Sequence, residues 1–84
     1  MARLSRDSYI QLFDALLSEE LYFSSAFASE ANILAATKRM LGRAIKNDCI
    51  LGYSDLVIDP GLNVHFKITD PDKDIIQITL LYGP

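Results

Sequence analysis

The chain has 84 residues, half of them apolar, and a formal charge of −3, which is enough apolar content for a core in one small domain spanning 1–84. The eight Lys and Arg residues are scattered, which argues against a nucleic-acid partner, and no apolar run reaches the ~18–20 residues that cross a bilayer. Cys49 is the single cysteine, so an internal disulfide and a thiolate zinc cluster are excluded. A lone thiol suits synthesis in a reducing cytoplasm, and "MARLSRDSYIQLFDALLSEE" lacks the continuous apolar core of a secretory leader. A chain of this size buries only roughly 60–65% of the surface its unfolded form exposes. With neither disulfide nor metal, a partner chain is the support expected for it.

The first helix is expected over 8–20. "SYIQ" fits a capping box with Ser8 as cap, Tyr9, Leu12, Phe13, Leu16 and Leu17 follow helical spacing, and Glu19 and Glu20 close the element. In "LYFSSAFAS" the serines at 24, 25 and 29 are equivalent candidates to cap the next helix, expected over 28–46. Its apolar stripe is Phe27, Ala31, Leu34, Leu41 and Ile45, widened by Ile33, Thr37, Met40 and Ala44. Lys38, Arg39, Arg43 and Lys46 suit its C-terminal half, Glu30 its start, and Asn47 its stop.

From Cys49 the pattern changes to strands. "CILGYSDLVID" predicts a strand over 49–58 with a bulge at Gly52, followed by an Asp59-Pro60-Gly61 turn. "LNVHFKIT" predicts a strand over 62–69 with Leu62, Val64, Phe66 and Ile68 on one face. Asp70 to Lys73 reads as a second turn, and a last strand over 74–82 sets Ile76, Ile78, Leu80 and Tyr82 on one face. The fold class is α+β, with two N-terminal helices packed on a small three-stranded antiparallel sheet that ends in a hairpin.

Candidate chemistry is sparse. Asp70, Asp72 and Asp74 occupy the first, third and fifth positions of a calcium loop, but Ile75 stands where that loop needs glycine and Leu81 where it needs glutamate. Aspartate and proline in a hairpin turn explain them better. His65 reads as an exposed strand residue, Cys49 as a small apolar one, and Glu19 and Glu20 as solvated charges. The four glycines form no phosphate loop. No catalytic residue, metal or cofactor is expected. Tyr9, Phe13 and Phe27 fit a helix–helix core, whereas helical spacing does not place Tyr22 and Phe23.

"RMLGRAIKNDCILGYSDLVID" followed by "LNVHFKITDPDKDIIQITLLYG" resembles the C-terminal half of the sheath-initiator baseplate wedge proteins of contractile phage tails and related injection machines. The resemblance covers roughly residues 38–82 and rests on a helix, a strand, and an Asp- and Pro-rich hairpin whose second strand reads Ile-x-Ile. Where that family carries Glu-Pro-Arg, this chain has Asn47-Asp48-Cys49, and residues 1–40 do not match the family's N-terminal half. The resemblance implies a structural virion protein whose hairpin pairs with strands of tail sheath and baseplate subunits in a multi-copy assembly.

The expected function is therefore non-enzymatic assembly by β-strand addition. The partner-binding residues are Val64, Phe66, Ile68, Ile76, Ile78, Leu80 and Tyr82, with no nucleic acid and no membrane involved. Between Ile75 and Tyr82 neither charge nor proline blunts the strand edge. The rival expectation is a small soluble phage or bacterial binding or inhibitory module acting on a protein through Tyr22, Phe23 and Phe27.

Overall fold

The computed structural model describes residues 4–24 and 29–81, with the side chains of residues 23 and 24 outside that description. Two helices, α1 (Arg6–Ser24) and α2 (Glu30–Lys46), precede three strands, β1 (Gly52–Ile58), β2 (Val64–Thr69) and β3 (Ile75–Leu80). The strands form an antiparallel sheet in the order β1-β2-β3, with both helices on one face, so the chain is a small α+β fold.

α1 starts earlier and runs further than its sequence pattern indicates. Ser5, not Ser8, is the cap: its hydroxyl oxygen accepts the Ser8 N–H at 3.2 Å, and its carbonyl accepts the Tyr9 N–H at 3.0 Å. Glu19 and Glu20 do not close the helix, because nothing in "EELYFS" breaks it. Of the three serine candidates, Ser29 caps α2 by accepting the Asn32 N–H. Ser25, Ala28 and Phe27 lie outside the described residues.

The buried face of α2 is Ile33, Ala36, Thr37, Met40, Leu41 and Ala44, so the residues expected to flank the stripe form its centre, and Ala31 is exposed. Thr37 is tolerated there because its hydroxyl donates to the Ile33 carbonyl at 2.7 Å. Asn47 is the C-cap. Beyond it Asp48 has φ of 60°, with its N–H on the Ile45 carbonyl and the Cys49 N–H on the Ala44 carbonyl. That paired closure normally uses glycine at the left-handed position. It also explains why β1 starts at Gly52 and not at Cys49: residue 49 is still tied to the helix end.

The core lies between the helices and one face of the sheet. Tyr9, Phe13 and Leu17 of α1 meet Val64, Phe66 and Ile68 of β2 and Ile76, Ile78 and Leu80 of β3. Tyr9 stacks on Phe13 at 5.9 Å, and Phe13 meets Phe66 edge-on at 5.5 Å, the two geometries that aromatic quadrupoles favour. The Tyr9 hydroxyl donates to the Cys49 carbonyl, so the ring is buried without stranding its polar tip.

Both turns are organised by an aspartate. Asp59 Oδ1 accepts the N–H groups of Gly61 and Asn63, and Asp70 Oδ1 accepts those of Asp72 and Asp74. The first turn extends to Leu62, at φ of 64°, so β2 begins at Val64 and not at residue 62.

Candidate interaction edge

An open three-stranded sheet has two edges, and here they differ in kind. β1 carries its irregularity at Asp55 and Leu56, not at Gly52. Ser54 pairs with Lys67 and Val57 with His65, so two residues of β1 stand opposite Phe66 alone. Asp55 adopts φ of 56° at this bulge, and its carboxylate pairs with the Lys67 ammonium at 3.2 Å. A bulge and a charge are two of the devices by which edges resist pairing.

β3 has neither device. It runs one-to-one against β2 from Ile75↔Thr69 to Leu80↔Val64. The Asp70 N–H donates to the Asp74 carbonyl, which fixes the phase of the ladder. Ile76, Ile78 and Leu80 then direct their backbone groups inward to β2, while Ile75, Gln77 and Thr79 present theirs to the open edge. Among the described residues no strand pairs with that edge.

The side chains assigned to partner binding from the sequence are differently placed. Val64, Phe66, Ile68, Ile78 and Leu80 are at most 1% exposed, and Ile76 is 8% exposed, all against the helices. They are core residues, because the apolar face of a half-covered sheet belongs to its helices. They set the register of the edge from the core, and of them Leu80 alone also lines the groove beside it. Tyr82 lies outside the described residues.

Beside the edge is a groove of about 410 Å³ between α1 and the end of β3, lined by Ile10, Gln11, Asp14, Thr79, Leu80 and Leu81. Sequence patterning did not indicate the three helical residues, since Ile10 lies off the Tyr9–Phe13–Leu17 stripe. Leu81 is 80% exposed at one end of the groove, and Ile75 is 62% exposed at the start of β3.

On the sheet face away from the helices, the lone histidine is part of a strut. His65 Nε2 donates to Asp59 Oδ2 at 2.8 Å, and its Nδ1 lies 3.2 Å from the Thr79 hydroxyl. These contacts tie the β1–β2 turn through β2 to β3. The His65 hydrogen bond, helped by the two turn N–H groups, holds the Asp59 carboxyl below the usual aspartate range. Gln77 lies along the sheet, donating from Nε2 to the Phe66 and Ile78 carbonyls.

A second charged feature joins the helices. Glu20, expected to be solvated, is mostly covered: it accepts from Arg43 at 2.8 Å and from Arg39 at 3.2 Å. The Arg43 hydrogen bond is the largest influence holding its carboxyl below the ordinary glutamate value, with partial burial acting in the opposite direction.

The turn aspartates are not arranged as a calcium loop. Asp70 Oδ1 is used by the backbone of its own turn, and among the described residues no three His, Cys, Asp or Glu side chains are grouped to share a metal. No helix among them is long and apolar enough to cross a membrane. The architecture defines a class, a two-helix, three-strand antiparallel domain with one blunted and one regular sheet edge. Compared with known protein families, with curated proteins and with solved structures, the chain finds no match.

Proposed function

We propose that this protein is a non-enzymatic assembly component that accepts a β-strand from another protein at the outer edge of β3. The observation that carries the reading is the contrast between the two edges. A bulge and an ion pair blunt β1, while β3 offers the outward N–H and C=O groups of Ile75, Gln77 and Thr79 without charge, proline or bulge. A regular edge of this kind promotes aggregation unless something covers it, so a physiological partner strand is the economical explanation.

The resemblance of residues 38–82 to sheath-initiator wedge proteins supplies the setting: a contractile tail or injection particle, with tail sheath or baseplate subunits donating the strand. Gradient sedimentation of a lysate from the native source tests it. Co-sedimentation of the chain with tail-like particles is expected, and a chain that stays at the top of the gradient as a small species refutes the particle assignment.

The 81% exposure of Tyr22 at the far end of α1 favours a second reading, a binding module acting on a protein through that helix end. Tyr22→Ala separates the two readings. It leaves strand acceptance at β3 intact under the first and abolishes partner binding under the second.

A further inference from the structure

The groove beside β3 specifies what kind of strand the edge accepts, an inference that rests on the strand-acceptance reading above. A strand added to β3 lies about 4.8 Å outside it and turns alternate side chains to the helix side of the sheet. That is the side on which the groove opens, between α1 and the end of β3. The groove's volume of about 410 Å³ is within the range of roughly 300–1,000 Å³ typical of ligand sites.

Its lining is divided. Ile10, Leu80 and Leu81 make an apolar wall, and Asp14 stands one helical turn beyond Ile10 at the rim. Asp14 is exposed, and among the described residues it has no ion-pair partner and no cation lines the groove. The four residues from Ile10 to Asp14 rise about 6 Å along the helix, close to the roughly 6.6–6.8 Å between same-face residues of an extended strand. We propose that the occupant is an extended segment of another protein carrying an aliphatic residue and, two positions away on the same face, Lys or Arg. The aliphatic side chain enters between Ile10 and Leu80, and the cation meets the Asp14 carboxylate.

This chemistry disfavours a second copy of the chain as the occupant. β3 itself reads "IIQITL" and contains no cation to offer Asp14 across a β3–β3 pairing. The outer face of the added strand meets Ile75, Gln77 and Thr79, which are uncharged and set no comparable requirement.

The test uses two end-blocked octapeptides that alternate Thr and Val, one with a single Val replaced by Lys and the other with the same Val replaced by Glu. Each is titrated into the isotopically labelled full chain at low salt, and amide shifts and affinities are read by NMR. Expected are shifts at the Ile75, Gln77 and Thr79 amides and a preference of about two- to fivefold for the Lys peptide, the scale of an exposed ion pair. Asp14→Lys, an exposed substitution that leaves the core intact, reverses the preference. Equal binding of both peptides, or a Lys preference that survives Asp14→Lys with the β3 shifts still present, overturns the proposed chemistry and leaves strand acceptance standing. If neither peptide moves the β3 amides, strand acceptance itself fails. Concentration-dependent dimerisation that broadens the β3 amides makes a second copy the occupant and overturns the proposal.

Discussion

Proline placed at two adjacent positions of β3 should have opposite consequences, because adjacent residues direct their N–H groups to opposite sides. At Ile78 the N–H points to β2, opposite Phe66, and the side chain is fully buried. Ile78→Pro removes a ladder bond, leaves a buried carbonyl without its donor at about 1–3 kcal/mol, and loses core packing at about 2–5 kcal/mol. The combined loss, on the order of 3–8 kcal/mol, approaches the ~4–13 kcal/mol that 84 residues typically supply. At Thr79 the N–H faces the open edge, so Thr79→Pro costs the fold only the contact with His65, about 0.5–1.5 kcal/mol. The preceding Ile78 is already extended, as a residue before proline must be. In a strand-added complex, however, Thr79→Pro withdraws a donor from the partner's carbonyl, worth about 1–3 kcal/mol, or roughly a 5- to 150-fold loss of affinity. Urea denaturation reads the first quantity, and recruitment to particles in gradient fractions reads the second. Ile78→Pro should be unfolded, and Thr79→Pro folded but not recruited. A folded Thr79→Pro chain that is recruited as well as the parent would show that the β3 backbone is not the docking edge.

Three further expectations follow from individual contacts. Glu20→Gln removes the charge shared by Arg39 and Arg43 and should lower stability by about 0.5–1 kcal/mol at neutral pH, as measured by urea denaturation. Because the folded carboxyl titrates below its unfolded value, this contribution is complete above about pH 4.5 and disappears as pH falls through the lower folded pKa; the stability difference between parent and variant should close over that range. Asp59 is also depressed, chiefly by His65, so its carboxyl resonance should titrate below the ordinary aspartate range and move back toward it in His65→Ala. The two turn N–H groups retain part of the shift in that variant. Asp48→Gly relieves a left-handed non-glycine residue at the end of α2 and should stabilise the chain by about 1 kcal/mol, raising the melting temperature by roughly 4–8 °C.

What the sequence revealed, and what it hid, separates along physical lines. The α+β class, the two aspartate turns and the inward face of the hairpin were legible because period-2 alternation and Asx-turn chemistry are local signals. Helix ends were misplaced where two serines competed: Ser5 and Ser8 both offer a hydroxyl, and only the surrounding backbone selects Ser5. The centre of the α2 stripe shifted because Ala36 and Thr37 are weak apolar signals that become core through packing. The edge proposed for strand acceptance lies in the segment that the sequence singled out, but six of the side chains named there are buried in the core and Tyr82 lies outside the described residues. Alternation identifies Val64, Phe66, Ile76 and Ile78 as one face without saying whether a helix or a partner covers it. The groove at Ile10 and Asp14 could not be read at all, since it exists only where α1 passes the end of β3.

The bulge at Asp55 offers a way to ask whether the difference between the edges is functional. Asp55 and Leu56 together oppose Phe66, while Ser54 and Val57 are already in register with Lys67 and His65. Deleting Asp55 therefore leaves Leu56 opposite Phe66, on the helix side where Leu56 already packs, and flips no other side chain. The cost is one exposed ion pair with Lys67, at about 0–1 kcal/mol, and the deletion also removes a left-handed non-glycine residue. The shortened chain should fold with unchanged or slightly higher stability. Its β1 edge, now regular and uncharged, should pair with other copies. Sedimentation velocity over a concentration series reads this directly, with both chains also carrying Thr79→Pro so that β3 contributes nothing. Association in the deletion and not in its parent would show that the bulge is what keeps β1 from pairing. If both chains stay monomeric, a regular edge in this fold is not sufficient for strand pairing, and the case for β3 as a recruiting edge loses its physical basis.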